Sequence, residues 1–256
     1  MRITAEDLTP VAFTLAIFVL WELACILFRI DSFILPAPTA VAAAMVQYWW
    51  PLLKNSFVTL WTTTVGFLLA VAFGIALGII VGWSRAIYRG LYPVMIGFNS
   101  IPKVAVVPIL IMWFGIGEIP AILTAFLISF FPIVVNVATG LATTEPDLED
   151  VLRALGASKL DIMRKVGIPR TGPYLFGALK VAITLAFVGA VVSETIGANA
   201  GLGHLMVQAG SNFQMPLVFA GLMALAIEGI LMYAVFAVLE KRMVSWAFRS
   251  AMSAAG

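Results

Sequence analysis

The sequence predicts an all-α polytopic membrane protein that crosses the lipid bilayer with six helices. Hydrophobic residues make up 62% of the 256 residues and charged residues only 11%, whereas soluble domains carry about 25% charged residues. The mean hydropathy of +1.06 indicates a surface that faces lipid. The sequence also alternates between long apolar stretches and short charged segments. Each apolar stretch has roughly 20 residues, which is the length that a membrane-spanning helix needs.

Six segments have the length and composition of a membrane span. The third is interrupted by Pro102, Lys103 and Pro108, and we expect a break there. The first follows an N-terminus without the basic start or the cleavage site of a signal peptide, so we expect it to stay in place as an anchor. The segments are 10–28, the charge-free run within 55–84, 91–117, 119–141, 173–197 and 216–239.

Lysine and arginine predict the orientation of these spans. With the N-terminus placed inside, the inner segments carry eleven such residues, and the outer segments carry only Arg29 and Lys54. Cytoplasmic segments are enriched in these residues, so we expect both termini to be cytoplasmic. The net charge of +2 gives no reason to expect a nucleic-acid partner.

Two further segments are not predicted to span. Segment 32–54 has prolines at its entry, and Thr39 is a candidate N-cap for a short surface helix that ends near Tyr48. Segment 201–212 is rich in glycine and polar residues, which predicts a loop or a broken re-entrant segment.

Small residues recur every four positions in two of the spans. This spacing allows close approach between helices in lipid, where packing rather than water exclusion drives association. The sequence does not reveal whether each stripe faces its own chain or a second copy. The stripes are Gly66, Ala70, Gly74, Gly78 and Gly82 in the second span, and Ala178, Ala182, Ala186 and Ala190 in the fifth.

The longest inner loop, 143–171, has the pattern of helix, glycine and helix. An apolar stripe runs along the first helix at positions 148, 151, 152 and 155. Gly156 is placed to end that helix in a left-handed conformation. Ser158 and Asp161 are placed to start a second helix, which we expect to end before Pro169. The first helix is acidic, so we expect it to dock into a protein groove rather than onto anionic lipid.

The residues of this loop carry a resemblance to a known family. Asp-Val-Leu-Arg-Ala-Leu-Gly-Ala-Ser at 150–158, followed by Val-Gly-Ile-Pro at 166–169, resembles the Glu-Ala-Ala loop of ABC importer permeases. Asp150 stands where the family has Glu, and Val151 and Leu152 stand for its alanine pair. Other segments resemble the nitrate, sulfonate, taurine and thiamine-precursor branch of binding-protein-dependent inner-membrane components: 35–39, 101–105, 113–117, 131–136 and 201–203.

The resemblance implies a type I ABC importer permease fold, in one transmembrane domain over 1–256, in a bacterial inner membrane. It implies as partners a cytoplasmic dimer of ATP-binding cassette ATPases, a second permease in a homodimer or in a heterodimer with a close relative, and a periplasmic or lipoprotein substrate-binding protein. It implies no cofactor in this chain, with ATP and Mg²⁺ bound by the ATPase, and the chain lacks the phosphate-binding loop motif. The residues that it assigns to ATPase coupling are Glu149, Asp150, Leu152, Ala154, Leu155, Gly156, Ala157 and Pro169.

Charged residues within the predicted spans are the candidates for a translocation path. A charge at the centre of a span costs about 2.5–3.5 kcal/mol on insertion scales, so we expect each charged residue there to have a structural or functional role. Lys103 and Glu228 either form a buried ion pair, or Lys103 lines the path and attracts an anion. Glu194 is a third candidate, for which interfacial anchoring is the alternative, as it is for Lys180.

Two other classes of function remain open at this point. A secondary transporter or channel could use these intramembrane charges, but it leaves the acidic docking loop unexplained. An intramembrane enzyme lacks a catalytic set, because His204 is the only histidine, and with Cys25 it is too isolated for a metal site. We therefore predict a non-enzymatic importer permease whose solute, an anion or a heterocyclic vitamin precursor, is not specified by the sequence.

Overall fold

The computed structural model describes residues 5–142 and 151–243, and every regular element in these two ranges is helical. A 3₁₀ turn, Lys103–Val106, and a π-helical turn, Met163–Gly167, lie between α-helices. The helices are α1 (Ala5–Leu27), α2 (Pro38–Gln47), α3 (Trp49–Gly82), α4 (Arg85–Ser100), α5 (Val107–Phe114), α6 (Glu118–Ala142), α7 (Lys159–Ile162), α8 (Ile168–Gly197), α9 (Leu202–Ser211) and α10 (Met215–Met243).

These helices reproduce the predicted spans. The helical stretches that contain α3, α6, α8 and α10 are long and apolar enough to cross a membrane. The third predicted span consists of α4 and α5, which meet at an angle of 69°. The first corresponds to α1, whose apolar part, Ala12–Leu27, is shorter.

The break in the third span lies at Ile101 and Pro102, as the prolines predict. Ile101 takes an extended conformation with ψ of 124°, which is the conformation that a following proline imposes. The 3₁₀ turn then restarts the helix at Lys103. Lys103 consequently lies at the bend rather than along a straight helix.

The glycine stripe of α3 packs against α6 of the same chain. A Cβ atom added to Gly66 would lie 2.6 Å from the Cβ of Ala125, and one added to Gly78 would lie 2.7 Å from that of Val137. Only glycine permits this approach of the two backbones. The predicted tight contact is confirmed, and it is made within one chain. The alanine stripe of α8 is also buried, at Ala178, Ala182, Ala186 and Ala190.

The buried apolar side chains form two separate cores. The first lies among α3, α6 and α8 and is centred on residues such as Phe67, Ile133 and Ile183. The second lies among α2, the start of α3, α9 and α10 and includes Leu52 and Leu202. Both cores share α3, so this long helix connects them.

Two expectations for the segments outside the spans are wrong. Thr39 does not cap α2, whose N-cap is Ala37. Its backbone N–H and hydroxyl instead donate to the Glu22 carboxylate, over 3.0 and 2.8 Å, which ties α2 to α1. For segment 201–212 the loop alternative is wrong, because the segment contains α9, whose residues Leu202, Leu205 and Ala209 recur at helical spacing and fill the second core. The other alternative, a broken re-entrant segment, stays a prediction.

Lys180 is not an isolated interfacial anchor. Its Nζ lies 2.6 Å from a carboxylate oxygen of Glu240, which joins α8 to α10. A lysine within a span is usually paired with an opposite charge on a neighbouring helix. The partner lies 60 residues further along the chain, so the sequence alone did not reveal it.

Candidate functional site

The glycine turn at residue 156 has the geometry that the sequence predicts. Residues 151–154 are helical, and Gly156 follows with φ of +87°. The N–H of Ala157 donates to the carbonyl of Leu152 over 3.0 Å, and the N–H of Gly156 donates to that of Arg153 over 2.9 Å. These are the two bonds of a Schellman motif, which ends a helix with a left-handed residue, usually glycine.

A capping box begins the next helix at the predicted residues. The Asp161 N–H donates to the Ser158 hydroxyl over 3.2 Å, and the Ser158 N–H donates to the Asp161 carboxylate over 3.3 Å. The hydrogen bond from the Ser158 hydroxyl lowers the pKa of Asp161, together with the backbone bond and the nearby Lys165 and Arg164. The two motifs therefore fix a sharp bend between 151–154 and α7.

The second loop helix does not end before Pro169, contrary to the sequence prediction. The chain continues from α7 through the π-helical turn into α8, and the N–H of Ile168 donates to the carbonyl of Met163. Pro169 lies in the first turn of α8, next to this wider turn, where its missing N–H is tolerated. The second loop helix, from Lys159 onward, is consequently continuous with the span that carries Glu194.

The described part of the loop presents apolar side chains to its surroundings. Leu155 is 78% exposed and Val151 56% exposed, while Leu152 is half-buried. A groove of about 280 Å³ lies between the glycine turn and α7 and is lined by Leu152, Leu155, Gly156, Ala157, Asp161, Ile162, Lys165 and Val166. We refer to this surface, with Val151, as the coupling surface. Glu149 and Asp150 lie outside the described residues.

The coupling surface is anchored to the helix bundle at the end of α3 that carries Trp83. The Nζ of Lys159 lies 5.3 Å from the centre of the Trp83 ring, a cation–π contact. Ile162 is buried, and Met163 packs against the first core. The coupling surface is therefore in contact with the end of α3 and, through the π-helical turn, with the first core.

Lys103 forms no ion pair with Glu228, so that interpretation of the two charges is wrong. Its Nζ instead contacts the backbone carbonyl of Asn99 over 2.8 Å and the side-chain oxygen over 2.5 Å. It also lies 5.8 Å from the centre of the Phe131 ring on α6. Lys103 is half-buried and Asn99 is exposed.

Glu194 lies in a buried network that joins α3, α8 and the start of α9. The side chain is 1% exposed. One carboxylate oxygen accepts from the Thr59 hydroxyl over 2.9 Å and from the Gly203 N–H over 3.1 Å, and the other lies 3.3 Å from the Thr62 hydroxyl. Hydrogen bonds to a charged group are stronger than neutral ones. A carboxylate is also favoured at the N-terminus of a helix such as α9.

The backbone of Gly201 and Leu202 completes this network. The Gly201 N–H donates to the Asn55 side chain over 2.8 Å, and the Leu202 N–H donates to the Thr59 hydroxyl over 2.9 Å. We call this set the polar seam: Asn55, Thr59 and Thr62 of α3, Glu194 of α8, and residues 201–203. The sequence analysis missed its α3 members. The available signal was the recurrence of Asn55, Thr59 and Thr62 on one face of a charge-free span.

Glu228 of α10 is a second buried carboxyl group within the spans. Its side chain is 6% exposed, and neither carboxylate oxygen has a hydrogen-bond partner among the residues that the structure describes. A buried acceptor without a partner costs about 1–3 kcal/mol, so its retention calls for an explanation.

The helical bundle, the anchored loop and the polar groups within the spans define a polytopic membrane transport protein. A model of the family described as "binding-protein-dependent transport system inner membrane component" matches residues 74–245. The chain belongs to this family and is the inner-membrane permease subunit of an ABC importer.

Individual relatives and solved structures agree with this assignment. The formylaminopyrimidine transport permease protein ThiX of Halalkalibacterium halodurans is 30% identical over 96% of this chain and 98% of its own length. The riboflavin transport system permease protein RibX of Chloroflexus aurantiacus is 33% identical over 90% of this chain and 87% of its own length. A chain of the inward-facing MetNI methionine ABC transporter has the same fold, with a TM-score of 0.65 and 22% identity over 77% of this chain and 97% of its own.

Proposed function

We propose that this permease couples to a separate cytoplasmic ATPase through the coupling surface and conducts its solute past Lys103. The observation that carries the proposal is the apolar turn with exposed Val151 and Leu155 and half-buried Leu152, which is fixed by Gly156. Exposed apolar side chains on a rigid turn are typical of a docking site for another protein. The coupling residues in this account are Glu149, Asp150, Leu152, Ala154, Leu155, Gly156, Ala157 and Pro169.

The continuity of α7, the π-helical turn and α8 supplies a mechanical path for this coupling. A helix rises about 1.5 Å per residue, so the 26 residue-to-residue steps from Ile168 to Glu194 extend roughly 40 Å. We therefore expect a displacement of α7 at the coupling surface to move the far end of α8, because the chain between them is helical throughout. In the proposed mechanism, ATP-driven approach of two ATPase subunits moves this rod and re-orients the spans.

The remaining partners follow from the same proposal. ATP and Mg²⁺ are bound by the ATPase dimer and not by this chain. A substrate-binding protein outside the membrane delivers the solute, and a second permease copy completes the pathway as a homodimer surrounded by lipid. The bias of lysine and arginine supports cytoplasmic termini, with the coupling surface on the same side.

Replacing Gly156 with alanine is expected to weaken binding of the ATPase. A left-handed conformation costs a residue with a Cβ atom about 1–2 kcal/mol, which corresponds to roughly a tenfold loss in affinity if the turn must keep its shape. The measurement is co-purification of the cognate ATPase with the permease, together with ATP hydrolysis by the complex.

Gly90 provides the matched control for this experiment. It lies on α4 with no heavy atom within 4 Å of an added Cβ and without a positive φ, so Gly90→Ala should leave co-purification unchanged. Equal recovery of the ATPase with Gly156→Ala and with the wild type would place the docking surface elsewhere.

The solute proposed for this permease carries an anionic or strongly hydrogen-bond-accepting group. Lys103 is a half-buried cation at the break of the third span, and its present partner, Asn99, is neutral and exposed. An anionic group binds an ammonium more strongly than an amide oxygen does. Aliphatic sulfonates, nitrate and heterocyclic vitamin precursors all present such groups, and the relative ThiX is named for a pyrimidine.

Lys103→Ala is expected to lower uptake of the solute carried by the cognate binding protein by roughly ten- to a hundredfold, because a bond to a charged group is lost. Uptake into reconstituted vesicles, normalised to the amount of assembled complex, measures this. Lys103→Arg keeps the charge and should retain part of the activity. Unchanged uptake by the alanine variant would remove Lys103 from the path.

A further inference from the structure

The helices α3 and α6 run parallel and keep one register along their whole contact. Gly66 lies against Ala125 near one end of the contact, and Gly82 lies against Leu141 near the other. Both pairs are separated by 59 positions in the sequence, so each residue of α3 is level with the residue of α6 that follows it by 59 positions. The first residue of α6 is therefore level with Thr59.

At the end of the bundle opposite to the coupling surface, α3 extends beyond both α6 and α8. The last residue of α8 is Gly197, whose carbonyl accepts from the Gly117 N–H over 3.4 Å, immediately before α6 begins. Both helices therefore stop close to the level of Thr59, whereas α3 continues to Trp49. At about 1.5 Å per residue, the projecting part of α3 is roughly 15 Å long.

This projecting part lies outside the hydrocarbon layer of the membrane. From Thr59 to Gly82, α3 covers roughly 35 Å, which already exceeds the hydrocarbon thickness of about 30 Å. The only charged residue of α3, Lys54, lies in the projecting part. Trp50 and Leu53 are consequently held roughly 14 and 9 Å beyond the level of Thr59.

One face of the projecting part carries exposed and mostly apolar side chains. Trp50, Leu53 and Phe57 are 62%, 55% and 72% exposed, and their spacing of three and four residues places them on one side of the helix. Lys54 is exposed on the same side. We call these four residues the outer stripe. Large apolar side chains that face water mark sites of interaction with other proteins.

The opposite face of α3 holds the outer stripe in a fixed position. Leu52 is buried in the second core, and the Asn55 side chain accepts from the Gly201 N–H over 2.8 Å. Thr59 is hydrogen-bonded within the polar seam. A surface that is fixed in this way loses little conformational entropy when a partner binds, which favours affinity.

The charge of the outer stripe disfavours a second permease copy as its partner. Two copies in one membrane are related by a two-fold axis along the membrane normal, so two stripes facing each other would bring identical residues together. Lys54 would then oppose Lys54 of the partner subunit, and like charges across an interface oppose association. A different protein that offers apolar pockets and an acidic group is complementary to the stripe.

We propose that the outer stripe is the docking site of the substrate-binding protein, whose contacting surface combines apolar pockets for Trp50 and Phe57 with an acidic group for Lys54. This inference rests on the proposed function, which places a binding protein on the side of the membrane opposite to the ATPase. Protein interfaces depend most on a few buried anchors, among which tryptophan is prominent. A neighbouring charge then steers the encounter.

Site-directed cross-linking of the assembled complex tests this proposal. The complex of permease and ATPase is reconstituted in lipid nanodiscs with Leu53→Cys or Phe57→Cys in a Cys25→Ala background, and the new thiol is labelled with a maleimide-linked benzophenone. The purified cognate binding protein is added, and the sample is illuminated. Leu68→Cys is the matched control, because Leu68 is also exposed on α3 but lies roughly 14 Å from Thr59 on the membrane side.

Leu53→Cys and Phe57→Cys should cross-link to the binding protein, and Leu68→Cys should not. Affinity for the binding protein is measured on nanodiscs with unlabelled variants. Trp50→Ala and Lys54→Glu should each weaken binding by roughly tenfold or more, whereas Lys54→Arg should retain it. Leu68→Ala should bind as tightly as the wild type.

The inference fails in two ways that the experiment distinguishes. If the wild-type complex binds the binding protein but both labelled stripe variants cross-link only to a second permease, to lipid or to nothing, the outer stripe is not the docking site and the proposed partner stands. If the wild-type complex does not bind the binding protein, the proposed function loses this partner and the inference fails with it. Because Leu53 and Phe57 are both exposed, either variant alone is expected to fold and to give this result.

Discussion

Gly201→Ala is expected to destabilise the permease by several kcal/mol. Gly201 has φ of +107° and ψ of 159°, a region that is almost restricted to glycine and costs other residues about 1–3 kcal/mol. An added Cβ would also overlap the carboxyl group of Glu194, which is held in place by the polar seam. Displacing that carboxylate would break bonds to a charged group worth about 1.5–3 kcal/mol each.

The measurement is the melting temperature of the purified complex, which should fall by roughly 5–10 °C. Gly210 lies at the other end of α9, and the nearest heavy atom to its added Cβ is 3.9 Å away. Gly210→Ala is therefore the matched control and should leave the melting temperature within about 2 °C of the wild type. A Gly201→Ala variant as stable as this control would show that the seam does not hold α9 in place.

Gly66→Ala is expected to separate α3 from α6. An added Cβ would lie 2.6 Å from both the Ala125 Cβ and the Ile122 carbonyl oxygen, and neither atom is at the free end of a flexible side chain. Overpacking of this kind costs about 1–3 kcal/mol, and more when backbone atoms must move. The amount of folded, detergent-stable permease recovered from membranes should fall accordingly.

A glycine-to-alanine substitution at a position without close neighbours separates the cost of overpacking from that of the substitution itself. Gly177 lies within α8 and has no heavy atom within 4 Å of an added Cβ, so Gly177→Ala should be tolerated. Ala125→Gly should partly rescue Gly66→Ala by removing one of the two clashing atoms, although the Ile122 carbonyl remains. Recovery of Gly66→Ala at the wild-type level would mean that the stripe does not set the helix spacing.

The features that sequence reasoning predicted correctly depend on short stretches of chain. The approximate position of each span, the break at Pro102 and the left-handed turn at Gly156 are all determined by residues that lie close together in the sequence. The capping box of Ser158 and Asp161 is equally local. The glycine stripe of α3 predicted a close helix contact, but the identity of α6 as its partner required the tertiary structure.

The features that it missed depend on residues that are distant in sequence. Thr59 and Glu194 are separated by 135 positions, and Lys180 and Glu240 by 60, so no local pattern connects them. The continuation of the helix through Pro169 was missed because a π-helical turn relieves the usual conflict between proline and helix. In each case tertiary contacts or an unusual turn override a sound local rule.

Chemical labelling of Leu155→Cys, in a Cys25→Ala background, tests the central claim that the coupling surface faces the cytoplasm and docks the ATPase. Leu155 is 78% exposed, so a membrane-impermeant maleimide should reach the new thiol in inside-out vesicles stripped of ATPase. Rebinding the ATPase should protect it, and intact cells should remain unlabelled. Labelling from outside intact cells, or labelling at the same rate with and without the ATPase, would contradict the account.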